Sequence, residues 1–105
     1  MNSTSLPLVS VVLSFRNEAA NIPTLVSRLH AMFTSQHLEY ELLFVNDAST
    51  DDSLAILLNE RDRNARVKIL NMSRRFGVAE GVLAGMSAAT GDAVIRIEIV
   101  VASGW

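Results

Sequence analysis

The chain has 105 residues, of which 50% are hydrophobic and 19% charged, with a formal net charge of -2 and no cysteine. This suits one domain with a single core, spanning 1–105, and lies away from disordered compositions. It excludes disulfides, thiolate metal sites and thiol redox chemistry, and it offers no broad basic field for nucleic acid.

Residues 8–15, Leu-Val-Ser-Val-Val-Leu-Ser-Phe, are β-branched and almost continuously apolar, as a strand covered on both faces requires. The apolar part is too short to cross a bilayer and has no basic leader, so no membrane segment is read here. The lack of cysteine permits a reduced, cytoplasm-facing environment, and a cytoplasmic location is expected. Asn21 is placed to cap a helix with Pro23 in its first turn, and Ile22, Leu25, Val26, Leu29 and Phe33 recur at helical spacing. A second strand is expected over 40–45. The turn-forming run 46–52 follows, where Ser49 and Asp52 have the spacing of a capping box. Leu54, Leu57 and Leu58 then give an apolar helix face ending near Asn64. A short third strand covers 67–70, a third helix runs over 76–89 with Gly91 ending it in a left-handed conformation, and a fourth strand covers 93–102.

The order β-α-β-α-β-α-β calls for an α/β fold, a Rossmann-like parallel sheet with flanking helices and right-handed crossovers. Ligands in such sheets bind beyond the carboxyl ends of the strands. The loop Ser14-Phe15-Arg16-Asn17-Glu18 puts a cation and a carboxylate there: Arg16 and backbone amides suit phosphate, and Glu18 suits a ribose or base. A solvated ion pair before a helix is the ordinary reading of the same residues. Asp47 can accept from a base or ribose or serve its own turn, while Asp51 and Asp52 favour a helix N-terminus. Ser73-Arg74-Arg75-Phe76-Gly77 offers two guanidiniums that suit a diphosphate, or a surface basic pair. His30 and His37 are read as surface residues without a role.

Residues 14–22, 44–51 and 73–77, together with Gly91-Asp92-Ala93-Val94-Ile95, resemble family 2 glycosyltransferases in order and spacing. The subgroup they are most similar to is the polyprenyl-phosphate sugar transferases, dolichol-phosphate mannosyltransferases and bactoprenol glucosyltransferases among them. The resemblance implies the N-terminal half of a GT-A domain. It also implies a nucleotide-diphosphate sugar donor, a polyprenyl phosphate acceptor at the cytoplasmic face of a membrane, and Mg²⁺ or Mn²⁺. By the same resemblance Ser14, Arg16 and Glu18 line the nucleotide pocket, Asp47 contacts base or ribose, Arg74 borders the donor and Asp92 helps shape the pocket floor.

Two departures are mild: Ser14 stands where proline is commoner and Arg16 where tyrosine is commoner. A third is chemical. After Ile97 the family has an Asp-x-Asp motif, whereas this chain reads Glu98-Ile99-Val100, leaving Glu98 as the one weak metal candidate. The expectation is a truncated chain with little or no transferase activity alone. The alternatives are a non-catalytic nucleotide-binding module and a fragment without function, destabilised by an unpaired apolar strand at 94–102. A receiver-type phosphoacceptor ranks low, because the third strand leads into Asn71-Met72-Ser73 with no aspartate. The sugar, the base and the oligomeric state are not specified.

Overall fold

The structure, a computed structural model, describes residues 8–72 and 89–98. The elements are β1 (Leu8–Phe15), α1 (Ile22–Ser35), β2 (Glu39–Asn46), α2 (Ser53–Arg63), β3 (Val67–Asn71) and β4 (Ala93–Glu98). The helix expected over 76–89 lies almost wholly outside the described residues, as does the last part of the strand expected over 93–102.

The strands form one sheet of order β3-β2-β1-β4, and every pairing is parallel. In register, Phe15 stands opposite Asn46, Asn46 opposite Asn71, and Ser14 opposite Glu98, so the four carboxyl ends finish along one edge. β1 and β2 are the central strands, and in each all but the first residue is buried. That accounts for their nearly unbroken apolar sequences, since a central parallel strand has no solvent face to alternate toward.

One face of the sheet, carrying Val9, Val11, Leu13 and Phe15 of β1 with Tyr40, Leu42 and Phe44 of β2, packs on Ile22, Val26 and Phe33 of α1 and Leu57 of α2. Both helices thus cover the same face, as right-handed β1-α1-β2-α2-β3 crossovers require. Aromatic contacts fill this core: Phe33 stacks on Tyr40 with centroids 5.0 Å apart, and Phe15 meets Phe44 edge-on at 6.1 Å. The other face carries a smaller cluster of Val12, Leu43 and Val45, packed by Leu70, Met72 and Ala89.

Several local expectations are corrected. The Ser49 and Asp52 capping box does not form. Ser49 Oγ instead accepts from the Asn17 amide, and the first amide of α2, that of Ser53, donates to Asp51 Oδ1 at 2.9 Å. Asn21 does occupy the N-cap of α1, but its side chain is drawn to Glu18. The buried face of α2 is Ser53, Leu57 and Glu60, with Leu58 exposed, because the helix is rotated to bring Ser53 under the first loop. Gly91 has no left-handed φ. A side chain there would instead put Cβ 2.5 Å from Ser10 Oγ and 2.7 Å from the Leu8 carbonyl, so glycine is required by close approach to β1.

Candidate functional site at the carboxyl edge of the sheet

The chain proceeds from β1 to β2 to β3 in one direction and then returns to the far side of β1 for β4. This reversal opens a crevice outside the carboxyl ends of β1 and β4, where open parallel sheets bind their ligands. The loop leaving β1 enters it. Asn17 turns the chain with φ of 57°, a left-handed conformation that asparagine tolerates better than most residues.

Two loops are stitched into one unit here. Asn17 donates its amide to Ser49 Oγ at 2.9 Å, while its Oδ1 accepts from the Thr50 and Asp51 amides at 2.7 and 3.2 Å. The Glu18 amide donates to Ser53 Oγ at 3.1 Å, and the Ala19 amide donates to Asp51 Oδ2 at 3.2 Å. β2 and β3 are joined in the same way: Asn46 Nδ2 donates to Asn71 Oδ1 at 2.8 Å, and the Asn46 carbonyl accepts from the Met72 amide at 3.0 Å. Asn46 Oδ1 also accepts from the Ser49 amide, and Ala48 turns the loop with φ of 53°. Side chains carried on this edge are therefore held by a hydrogen-bonded frame.

Ser14 near the end of β1, Arg16 and Glu18 in the loop that follows, and Asp47 just past β2 all lie at this edge. Glu18 is buried, and its Oε1 accepts from Asn21 Nδ2 at 2.8 Å, which fixes the carboxylate's direction. Asp47, also buried, donates its amide to the Phe15 carbonyl at 3.0 Å, so β2 is tied to β1 just past the last paired residues. Ser14 is 1% exposed, yet among the described residues its Oγ has no hydrogen-bond partner, and neither does the buried Nε of Arg16. Buried polar atoms are nearly always satisfied, so these two stand out at this edge as atoms whose partners do not lie among the described residues.

Asp92 is not part of this assembly. It lies at the amino end of β4, where its amide donates to the Leu8 carbonyl at 2.7 Å and its Oδ2 accepts from the Leu8 amide at 2.8 Å. The six residues of β4 put it about 20 Å from the carboxyl edge, at roughly 3.3 Å per residue. As the residue before a strand start in an all-parallel sheet, it lies at the amino edge. Arg74 lies outside the described residues. Glu98 stands opposite Ser14 in the register. Among the described residues no three His, Asp or Glu side chains converge as metal ligands.

Sequence reasoning missed the frame residues Asn17, Ser49 and Ser53, whose partners are more than thirty positions away. His30 is exposed, in keeping with its reading as a surface residue, and its Nδ1 lies 2.5 Å from the Tyr40 hydroxyl. Asn64 Nδ2 donates to the same hydroxyl oxygen at 3.1 Å. A groove of about 450 Å³ beside His30, lined also by Val26, Glu60, Arg63 and Asn64, lies between α1 and α2, away from the carboxyl edge.

A parallel sheet with its strand order reversed at β1 and helices packed on it defines the class: an open, Rossmann-like α/β domain. The chain belongs to glycosyl transferase family 2, whose pattern matches residues 10–98. It is 38% identical over 90 residues to an uncharacterized glycosyltransferase of Synechocystis, covering 86% of this chain and 28% of that protein. It is 33% identical over 100 residues to the undecaprenyl-phosphate 4-deoxy-4-formamido-L-arabinose transferase of Aeromonas hydrophila, covering 93% of this chain and 30% of the relative. The chain thus spans less than a third of the length of these curated relatives. Among solved structures, a mannosyltransferase of Pyrobaculum calidifontis in complex with GDP-Man and Mn²⁺ superposes with a TM-score of 0.78 at 22% identity, covering 90% of this chain and 28% of its own. The likeness is one of fold, that of the N-terminal part of a GT-A domain.

Proposed function

We propose that this chain carries the nucleotide end of the donor site of a glycosyltransferase that moves a sugar from a nucleotide-diphosphate sugar to a polyprenyl phosphate at the cytoplasmic face of a membrane. The observation that carries the reading is the pair of buried, unpartnered atoms, Ser14 Oγ and Arg16 Nε, beside Glu18 and Asp47 at the switch point of the sheet. Arg16 would donate to a diphosphate oxygen, with Arg74 as a second guanidinium. Glu18 and Asp47 would accept from ribose hydroxyls or a base N-H, and Ser14 would complete the edge. Asp92 has no part in it.

The GDP-Man in the Pyrobaculum structure and the acceptor named for the Aeromonas relative support the donor and acceptor classes. Transfer to a phosphate oxygen needs little help from a general base, because the acceptor is already ionised near neutral pH. The contribution of these residues is to position the donor and to meet the charge that develops on its leaving diphosphate. Among the described residues no helix is long and apolar enough to cross a membrane.

Calorimetric titration of the whole chain with UDP and GDP tests the reading. Saturable heat is expected from a diphosphate and not from the free nucleoside, and Arg16→Ala should weaken it about tenfold, as loss of one charge-assisted hydrogen bond does. Absence of heat with either nucleotide, with or without Mn²⁺, would remove it. A non-catalytic nucleotide-binding module is the second reading, and the sequence feature that favours it is Glu98-Ile99-Val100 standing where the family has Asp-x-Asp. Binding without hydrolysis or transfer of the sugar would select it.

A further inference from the structure

At the opposite half of the sheet Glu41 of β2 carries a carboxylate whose side chain is only 3% exposed. Four donors converge on it from three directions. Ser10 Oγ of β1 donates to Oε2, and Lys68 Nζ of β3 donates to Oε1 at 2.5 Å. Thr90 supplies its amide at 2.9 Å and its hydroxyl at 3.1 Å. Ser10 Oγ in turn accepts from the Gly91 amide at 2.8 Å, and Asp92 closes on Leu8 through both its amide and its carboxylate. Residues 90–92 are therefore gripped one after another by Glu41, Ser10 and Leu8, and the next residue, Ala93, begins β4 opposite Val9.

This arrangement fixes where β4 starts along β1. In a sheet the side-chain period is two, so a slip of one residue turns every side chain of a strand to the other face. We infer that Glu41 is a positioning residue whose carboxylate sets the register of β4 against β1 and thereby holds the carboxyl end of β4, with Glu98 opposite Ser14, at the donor edge. The register stands on geometry alone, whereas its consequence for the donor rests on the function proposed above. Chemistry requires a carboxylate here: all four groups are donors, and a glutamine amide would present N-H groups to some of them. Burial raises the pKa of Glu41, but the hydrogen bonds from Lys68, Ser10 and Thr90 more than offset it and bring it to about 2, so the lock is ionised at any physiological pH.

The absence of cysteine permits a clean test. Ser14→Cys with Glu98→Cys places two thiols at paired positions on neighbouring strands, where Cα atoms about 5 Å apart allow a disulfide. A one-residue slip puts one thiol on the opposite face and prevents the bond. The intramolecular disulfide is expected to form readily in this background, and its yield under matched oxidation should fall about tenfold when Glu41→Gln is added. Hydrogen exchange on the cysteine-free Glu41→Gln chain should show protection lost in β4 and retained in residues 42–45 of β2. An unchanged disulfide yield, or protection lost equally throughout the sheet, would overturn the inference. Should Glu41→Gln fail to fold, Thr90→Val, which removes one donor and keeps the backbone, decides: lowered yield supports the register role and unchanged yield overturns it. Neither readout involves a nucleotide, so failure of the donor-site reading leaves this result interpretable.

Discussion

Asn17 concentrates the residue-scale argument, because it meets two demands at one position. Its φ of 57° would cost a residue such as alanine about 1–2 kcal/mol, and its Oδ1 accepts from two amides of the following loop. Asn17→Ala should therefore lose about 2–3 kcal/mol in urea denaturation, whereas Asn17→Gly, which relieves the backbone but not the missing acceptor, should lose about 1–2. A midpoint unmoved by either substitution would contradict the stitched-loop account. The sequence shows that Glu18 and Asp47 stand at strand ends, because strand, turn and helix signals fall around them. It does not show Asn17 joining Ser49, Thr50 and Asp51, since hydrogen bonds between loops leave no local pattern. Asp92 is a different case. A residue before a strand start in a parallel sheet stands at the amino edge, so strand order alone sets it apart from the carboxyl edge, and it is the resemblance that gives it a place in the pocket.

Elements were legible where their apolar pattern is strong. β1, β2 and the stripe of α1 follow directly from runs and spacings that burial alone enforces. The cap of α2 and its buried face were not, because Ser53 is recruited to the Glu18 amide and the helix turns to suit. Glu41 in the middle of an apolar strand is a break in pattern whose meaning is long-range. Its pKa, about 2, lies below the usual glutamate value, so its contribution is fully present above about pH 5 and is lost as pH falls toward 2. That contribution is roughly 3 kcal/mol. Asp51 acts in the same sense: burial raises its pKa, but hydrogen bonds from Ser53 and the Ala19 amide prevail and lower it. Denaturation followed from pH 6 to pH 2 should show stability falling through this window, with a shallower fall in Glu41→Gln. Equal slopes for the two chains would contradict the lock.

At the scale of the whole molecule, the alternation of strands and helices implies a parallel sheet, but the return to the far side of β1 is topology, which no segment encodes by itself. That return creates the crevice. It also makes β4 an edge among the described strands, with Val94 and Ile95 more than 40% exposed, so the apolarity expected of the last strand is real but is not buried by the described residues. The central claim concerns where a nucleotide lands on this molecule, and amide chemical-shift mapping of the isotope-labelled chain during titration with a nucleoside diphosphate tests it most directly. Saturable shifts concentrated at residues 14–18 and 46–49 are the predicted result. Shifts centred on His30, Glu60 and Asn64 in the groove between the helices, or no saturable shifts, would contradict it.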